Sequence, residues 1–377
     1  MKRLYWTDPD IFEIEVEVKA ITDCKVTIDP IIFHPDEGGQ PADKGTIGGT
    51  AVCNVEILDG QVVHTLDRPL AAGRYIARLD KRHRLYTASQ HTAQHILSGI
   101  GEKQFGLKTT GVHIGSERST VDFDRKVDWE VAEELERRAM DVVTSDIPVE
   151  TVFNDKDVRI RSDFDEIESD IIRVVKIGDC DKSACCGAHL RTTGQIGLIR
   201  VVGIESKKQG TRMVFLAGSK ALEYSQTEAS VLRELRKAAG CSTIELRAQL
   251  ERALGRANEL SKEIDRLWSS LLPSLSEAAQ IIEVESSKIG VQVAEMPNHL
   301  LAKLAALIAQ AVDGAGIVVS GVNIAISSNK IIAGELLGKI QSAVGGKGGG
   351  SSKAANGRLD RTITVGEIMA ILRQKTG

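Results

Sequence analysis

The chain has no disulfide framework. Its six cysteines, Cys24, Cys53, Cys180, Cys185, Cys186 and Cys241, are scattered over 377 residues, which excludes the stapled folds of small secreted domains. Three of them cluster beside a histidine, an arrangement suited to a reducing compartment. An excess of positive charge is also missing. The net charge is -4, so no general cationic field draws in nucleic acid, and any such contact must come from local basic patches. Long apolar runs are absent. The start, from Met1 to Asp8, lacks the apolar core of a secretory signal, and no segment nears membrane-spanning length without charges. A cytoplasmic protein that does not enter membranes is the expectation. The glycine run Gly345-Gly346-Lys347-Gly348-Gly349-Gly350 lacks the nested spacing of a P-loop or a dinucleotide fingerprint, so it is not read as a nucleotide site.

What is present is a pair of metal-type motifs. His91 and His95 stand four apart in Ser89-Gln90-His91-Thr92-Ala93-Gln94-His95. That spacing puts both imidazoles on one helix face and turns Thr92, Ala93 and Gln94 away. About 90 residues later come Cys185 and His189, again four apart, with Gly187 between them allowing a tight turn. A thiolate and imidazoles are the ligand types zinc prefers. Cys180 is a rival ligand outside the four-residue spacing, and Cys186 reads as a small packed residue.

Around these motifs the pattern changes along the chain. Hydrophobic residues make up 42% of it, ample for packed cores, and the length predicts two or three domains. Phe12 to Val18 alternates apolar and acidic residues, Lys25 to Asp29 repeats the pattern, and Asp59-Gly60 separates two further strands as a hairpin turn. A small barrel-like sheet is the natural reading. Asp128 is an N-cap for an amphipathic helix from Trp129 to Val143. The basic run Lys81-Arg82-His83-Arg84 is either a solvated face or a contact to phosphates, and Arg212 is placed to bind either a phosphate or an acidic partner. Leu246, Leu250, Ala253, Ala257, Leu260, Ile264, Leu267 and Leu271 form a coiled-coil seam on a helix that Pro273 is expected to end. Beyond it, helices over 300–312 and 330–344 flank short buried strands, and the glycine run follows as a loop.

The motifs resemble one family. His-x-x-x-His, followed by Cys185-Cys186-Gly187-Ala188-His189 and Thr193-Gly194-Gln195-Ile196-Gly197, is similar to the editing domain of alanyl-tRNA synthetases and to the free-standing AlaX proteins. Phe33 to Gly45 resembles the glycine-rich loop that lines the aminoacyl pocket in that family, and the C-terminal third resembles its Gly-rich RNA-binding and association domain. With no segment here that reads as an aminoacylation domain or a DHH-type aspartate cluster, the expected resemblance is to the long form of AlaX.

The resemblance implies an α+β protein in four parts: a β-barrel-like N-terminal subdomain over 1–88, an α+β zinc-binding editing core over 89–218, a helical arm over 219–290, and a C-terminal Gly-rich α/β domain over 291–377. It implies zinc held by His91, His95, Cys185 and His189. Gly38, Gly39 and Gln40 then shape the acyl pocket, the glycines through close backbone approach and Gln40 through its amide. The implied activity is hydrolysis of the ester joining serine or glycine to tRNA for alanine, by a homodimer associating through its C-terminal half. Three residues depart from the family pattern: Ile31 for Thr, Glu37 for Gly and Ala188 for Thr. Losing the threonine hydroxyl at 31 removes a polar partner for serine. These departures keep two other readings open, a non-catalytic zinc-containing RNA-binding or assembly protein and an editing enzyme for another aminoacyl-tRNA.

Overall fold

Alternation of apolar and acidic residues builds the first sheet. In β1 (Glu13–Ala20), Val16 and Val18 are buried while Glu13, Glu15 and Glu17 face solvent. With β2 (Lys25–Asp29), β3 (Gly45–Ile47), β4 (Thr50–Leu58), β5 (Gln61–Leu66) and β6 (Gly73–Leu79) it closes a barrel in the order β1-β2-β5-β4-β3-β6. Asp59 and Gly60 both take positive φ between the paired residues Leu58 and Gln61, as a two-residue hairpin requires. Before the barrel, the short helix α1 (Leu4–Thr7) is tied to it by Leu4 N donating to Ile31 O at 2.8 Å.

This computed structural model describes residues 2–22, 24–154, 172–284 and 287–374. It is a mixed α and β protein, and the chain divides into two units, Met1–Leu235 and Arg236–Gly377.

The axis of the first unit is α2 (Lys81–Phe105). Asp80 caps it by accepting from His83 N at 3.0 Å, and every residue from Thr87 to Gly101 is buried. A helix buried on all sides must satisfy its polar side chains internally. Gln90 does so by pairing with both backbone groups of Ala217, at 2.7 and 3.1 Å. Ala217 ends a strand of the sheet β12-β13-β8-β7, formed by β12 (Ile199–Ser206), β13 (Thr211–Ala217), β8 (Ser119–Phe123) and β7 (Thr109–Ile114). Helix α3 (Trp129–Thr144), capped by Asp128, buries Ala132, Leu135, Ala139 and Val143 on one stripe. A second sheet, β11-β10-β9, joins β9 (Val149–Phe153), β10 (Arg173–Ile177) and β11 (Asp181–Ala184). Helix α4 (Ser219–Ala239) follows β13.

The second unit carries α5 (Thr243–Glu277) and a six-stranded sheet in the order β14-β15-β16-β17-β19-β18. Its strands are β14 (Gln280–Val284), β15 (Ser287–Val293), β16 (Ala315–Ser320), β17 (Asn323–Ser328), β18 (Gly346–Gly350) and β19 (Ala354–Leu359). Its further helices are α6 (Asn298–Val312), α7 (Ala333–Val344) and α8 (Val365–Arg373). Helix α6 is the crossover between the parallel pair β15 and β16.

The fold corrects two expectations. Pro273 does not end α5 but lies inside it, one turn before the end, where its missing N–H removes a single helical hydrogen bond. The glycine run is not a loop: Gly346–Gly350 is the edge strand β18, paired in register with β19. A side chain on Gly348 would stand 2.5 Å from Asn356 O, so bare backbone lets the two strands approach.

Candidate metal centre

His91 and His95, one turn apart on α2, meet Cys185 and His189 from the loop after β11. The ligating atoms of all four lie within 4.8 Å of one another. Cys185 Sγ is 3.4 Å from His91 Nε2 and 3.2 Å from His189 Nε2. A tetrahedral zinc with bonds of about 2.0–2.3 Å has edges of roughly 3.3–3.7 Å, and the two edges from Cys185 Sγ lie close to that range. Cys180 is not part of this cluster.

The other ring nitrogens are held. His91 Nδ1 lies 2.6 Å from Gln40 Oε1, His95 Nδ1 lies 2.7 Å from Asp181 Oδ2, and His189 Nδ1 lies 3.2 Å from Thr92 Oγ1. Ser183 Oγ also reaches His95 Nδ1 at 3.1 Å. A proton fixed on Nδ1 by an outer acceptor leaves Nε2 free to bind a metal, which is how ligating histidines are oriented. Thr92 therefore faces the site rather than away from it. Its hydroxyl also accepts from Leu190 N at 3.2 Å and pins the backbone just after His189.

Electrostatics agree with a ligand set. Burial pushes the Cys185 thiol up, but the imidazoles of His91, His189 and His95 outweigh it and hold the thiol well below its usual range. Burial holds His189 well below the usual imidazole value, which keeps the ring neutral. A thiolate and a neutral imidazole are the forms that bind metal.

Gly187 serves space rather than a turn. It is not among the glycines at positive φ. A Cβ there would collide with the His91 ring and stand 2.6 Å from Gln40 Oε1. The glycine-rich loop reaches the centre at this point: Gln40 Oε1 also accepts from Ala188 N at 3.0 Å. Gly38 and Gly39 take φ of +64° and +78°, and Gly39 O accepts from Ile114 N at 2.8 Å. Gln40 Nε2 is buried without a partner among the described residues.

A family model described as the threonyl and alanyl tRNA synthetase second additional domain matches residues 172–214, the stretch that carries Cys185 and His189. The alanyl-tRNA editing protein Aarsd1 of Danio rerio is 29% identical over 273 residues, covering 70% of this chain and 64% of that protein. The alanyl-tRNA editing protein AlaX-L of Pyrococcus horikoshii is 29% identical over 243 residues, covering 59% of each. The alanine–tRNA ligase of Methanosarcina barkeri is 28% identical over 392 residues, covering 94% of this chain and 42% of the ligase. The chain is a relative of the alanyl-tRNA editing proteins. It spans 64% of the first of these relatives and 42% of the last.

The three residues at which the chain departs from the editing proteins' pattern sit in different surroundings. Ile31 is packed in the barrel core and Ala188 is fully buried. Glu37 is half-buried, and burial raises its carboxyl against the opposing pull of Arg3. Of the basic residues, Arg84 is no contact for phosphate. It is buried on α2, pairs with Asp43 and donates to Ile32 O at 2.7 Å. Asp43 also accepts from His34 N at 2.5 Å, so this pair locks α2 to the glycine-rich loop. Arg212 pairs with Asp122 at 2.8 and 2.9 Å. Arg82, by contrast, is almost fully exposed. The sequence reading missed Asp181, Thr92 and Arg173 as partners of the centre. The one signal was for Asp181: in Asp181-x-Ser183-x-Cys185 a period of two puts Asp181 and Ser183 on one face of β11, just before Cys185.

Among the described residues no helix is long and apolar enough to cross a membrane.

Proposed function

We propose that the chain is a trans-editing hydrolase, cytoplasmic, that deacylates tRNA for alanine mischarged with serine or glycine, at a zinc centre formed by His91, His95, Cys185 and His189. The observation that carries this reading is the convergence of three buried histidines and the half-buried Cys185, each histidine with its Nδ1 already engaged, in a chain related to editing proteins. Zinc held there supplies a Lewis acid that polarises the ester carbonyl. Gln40 does two things: its Oε1 orients His91, and its unpartnered Nε2 is the donor left for the acyl group. Gly38 and Gly39 bring the loop backbone close to a small substrate. With Ile31 packed in the barrel, selection of serine over alanine rests on pocket size and on Gln40.

The same reading pairs two copies through the C-terminal half. Leu250, Leu260, Ile264, Leu267 and Leu271 on α5 are between 49% and 59% exposed, an apolar seam of the type that helices bury against one another.

One observation favours a second reading. Four protein ligands make the closed set typical of structural zinc, whereas catalytic sites keep one position open. A non-catalytic zinc-containing RNA-binding protein would look like this. Deacylation of a panel of tRNAs mischarged with serine, glycine or other amino acids, with and without chelator, separates the readings. Release of serine or glycine from tRNA for alanine, abolished by chelator and by His95→Ala, is expected. Full activity in metal-free protein would remove zinc from the mechanism, and no release from any tRNA would leave the structural reading.

A further inference from the structure

The loop that carries Cys185 has no strand partner over its next residues, yet its three consecutive carbonyls are all engaged by side chains. Arg173 Nη1 donates to Cys185 O at 3.0 Å and to Gly187 O at 2.7 Å. Between them, Trp6 Nε1 donates to Cys186 O at 2.8 Å. The Arg173 main chain meets the same loop, since its carbonyl accepts from Cys185 N at 3.1 Å. Arg173 is 5% exposed, and its guanidinium reaches Thr151 Oγ1 at 3.2 Å but no carboxylate among the described residues. A buried guanidinium whose described partners are carbonyls and one hydroxyl is costly unless the geometry it enforces is needed. Trp6 is itself held, with Arg3 Cζ at 4.6 Å and Arg173 Cζ at 5.8 Å from its ring centre. The segment before it is pinned to the barrel by Ile31 N donating to Lys2 O at 2.9 Å and by Leu4 N donating to Ile31 O.

We propose that Arg173 and Trp6 are positioning residues for the metal centre, clamping the carbonyls of Cys185, Cys186 and Gly187 so that Cys185 Sγ and His189 Nε2 face the α2 histidines. The proposal rests on the metal reading above. It makes the N-terminal segment, which contributes no ligand, part of what sets metal affinity. The direct consequence is that a residue 180 positions away from Cys186 in the chain controls a site it never touches.

The test uses the full chain, with zinc affinity measured by chelator competition and cobalt(II) as a spectroscopic stand-in. Arg173→Met should weaken zinc by about 10- to 100-fold, the range for lost outer partners of a ligand. Arg173→Lys keeps the charge but not the fork that spans two carbonyls, and should recover only part of the loss. Trp6→Phe keeps the ring and removes one donor, and should weaken zinc by about 3- to 10-fold. In each, the thiolate-to-cobalt charge-transfer band should shift or fade, which a merely looser fold would not cause while the circular dichroism of the metal-free protein is unchanged. Should Arg173→Met fail to fold, Trp6→Phe decides alone. Wild-type zinc affinity and an unaltered cobalt spectrum in the folded variants would overturn the proposal while leaving the metal centre in place. Failure of the unaltered protein to bind zinc would overturn the metal centre itself, and this proposal with it.

Discussion

Replacing Gln40 first by alanine and then by glutamate separates the hold of its amide on His91 from its proposed contact with the acyl group. Gln40 Oε1 serves two donors at once, His91 Nδ1 at 2.6 Å and Ala188 N at 3.0 Å. Alanine removes both contacts. The His91 ring is then free to rotate or to move its proton onto Nε2, the atom that must carry the metal. Loss of such an outer partner weakens metal binding by about 10- to 100-fold, or ~1.4–2.8 kcal/mol. The Ala188 N–H, in a fully buried residue, is left unpaired, which costs about 1–3 kcal/mol of folding stability whether or not metal is present. Zinc competition and denaturant unfolding of the metal-free protein read the two effects separately. Gln40→Glu keeps an acceptor against His91 Nδ1, so zinc affinity should return. It loses the Nε2 donor, so deacylation should stay low. The reasoning fails if Gln40→Ala binds zinc like the wild type and only KM rises, since Gln40 would then act on the substrate alone.

Other outcomes follow from the same contacts. Gly187→Ala should abolish metal binding in a protein that still folds, because the new methyl group collides with the His91 ring; normal zinc stoichiometry would contradict this. Asp43→Ala leaves the Arg84 charge buried without its partner and should destabilise the first unit by about 3–5 kcal/mol in urea titrations. Asp122 is held below the usual carboxylate range first by Arg212 and, with burial opposing, also by Lys207. Its contribution is therefore complete above its unfolded pKa of about 3.9 and is lost as pH falls through the lower folded value. The Tm difference between wild type and Asp122→Asn should accordingly shrink on acidification, and a gap independent of pH would be evidence against it. A chain ending at Leu235 contains all four ligands and Gln40. It should bind zinc but, lacking the α5 seam, sediment as a monomer, whereas the full chain should sediment as a dimer; a truncated dimer would place association elsewhere.

The amino-acid sequence by itself determined the parts of this protein that depend on short-range periodicity. Spacing of four put His91 and His95 on one helix face, alternation built β1, Asp59-Gly60 made a hairpin, and Asp128 capped α3. These follow from backbone geometry within a few residues, so they are legible before any packing is known. The same local logic misjudged Pro273 and the glycine run, because the remaining contacts of a long helix and the pairing of an edge strand outweigh a single residue's preference. It also read Arg84 as part of a basic patch, although about half a turn of helix separates the exposed Arg82 from the buried ion pair of Arg84. What only the tertiary structure decided is which atoms surround the ligands. Gln40, Asp181 and Thr92 on the three imidazoles, the space at Gly187, and the hold of Arg173 and Trp6 on the Cys185 loop join residues from separate sheets and helices. Such contacts arise when packed elements share one interior and every buried donor and acceptor must find a partner there, a condition that no local spacing expresses.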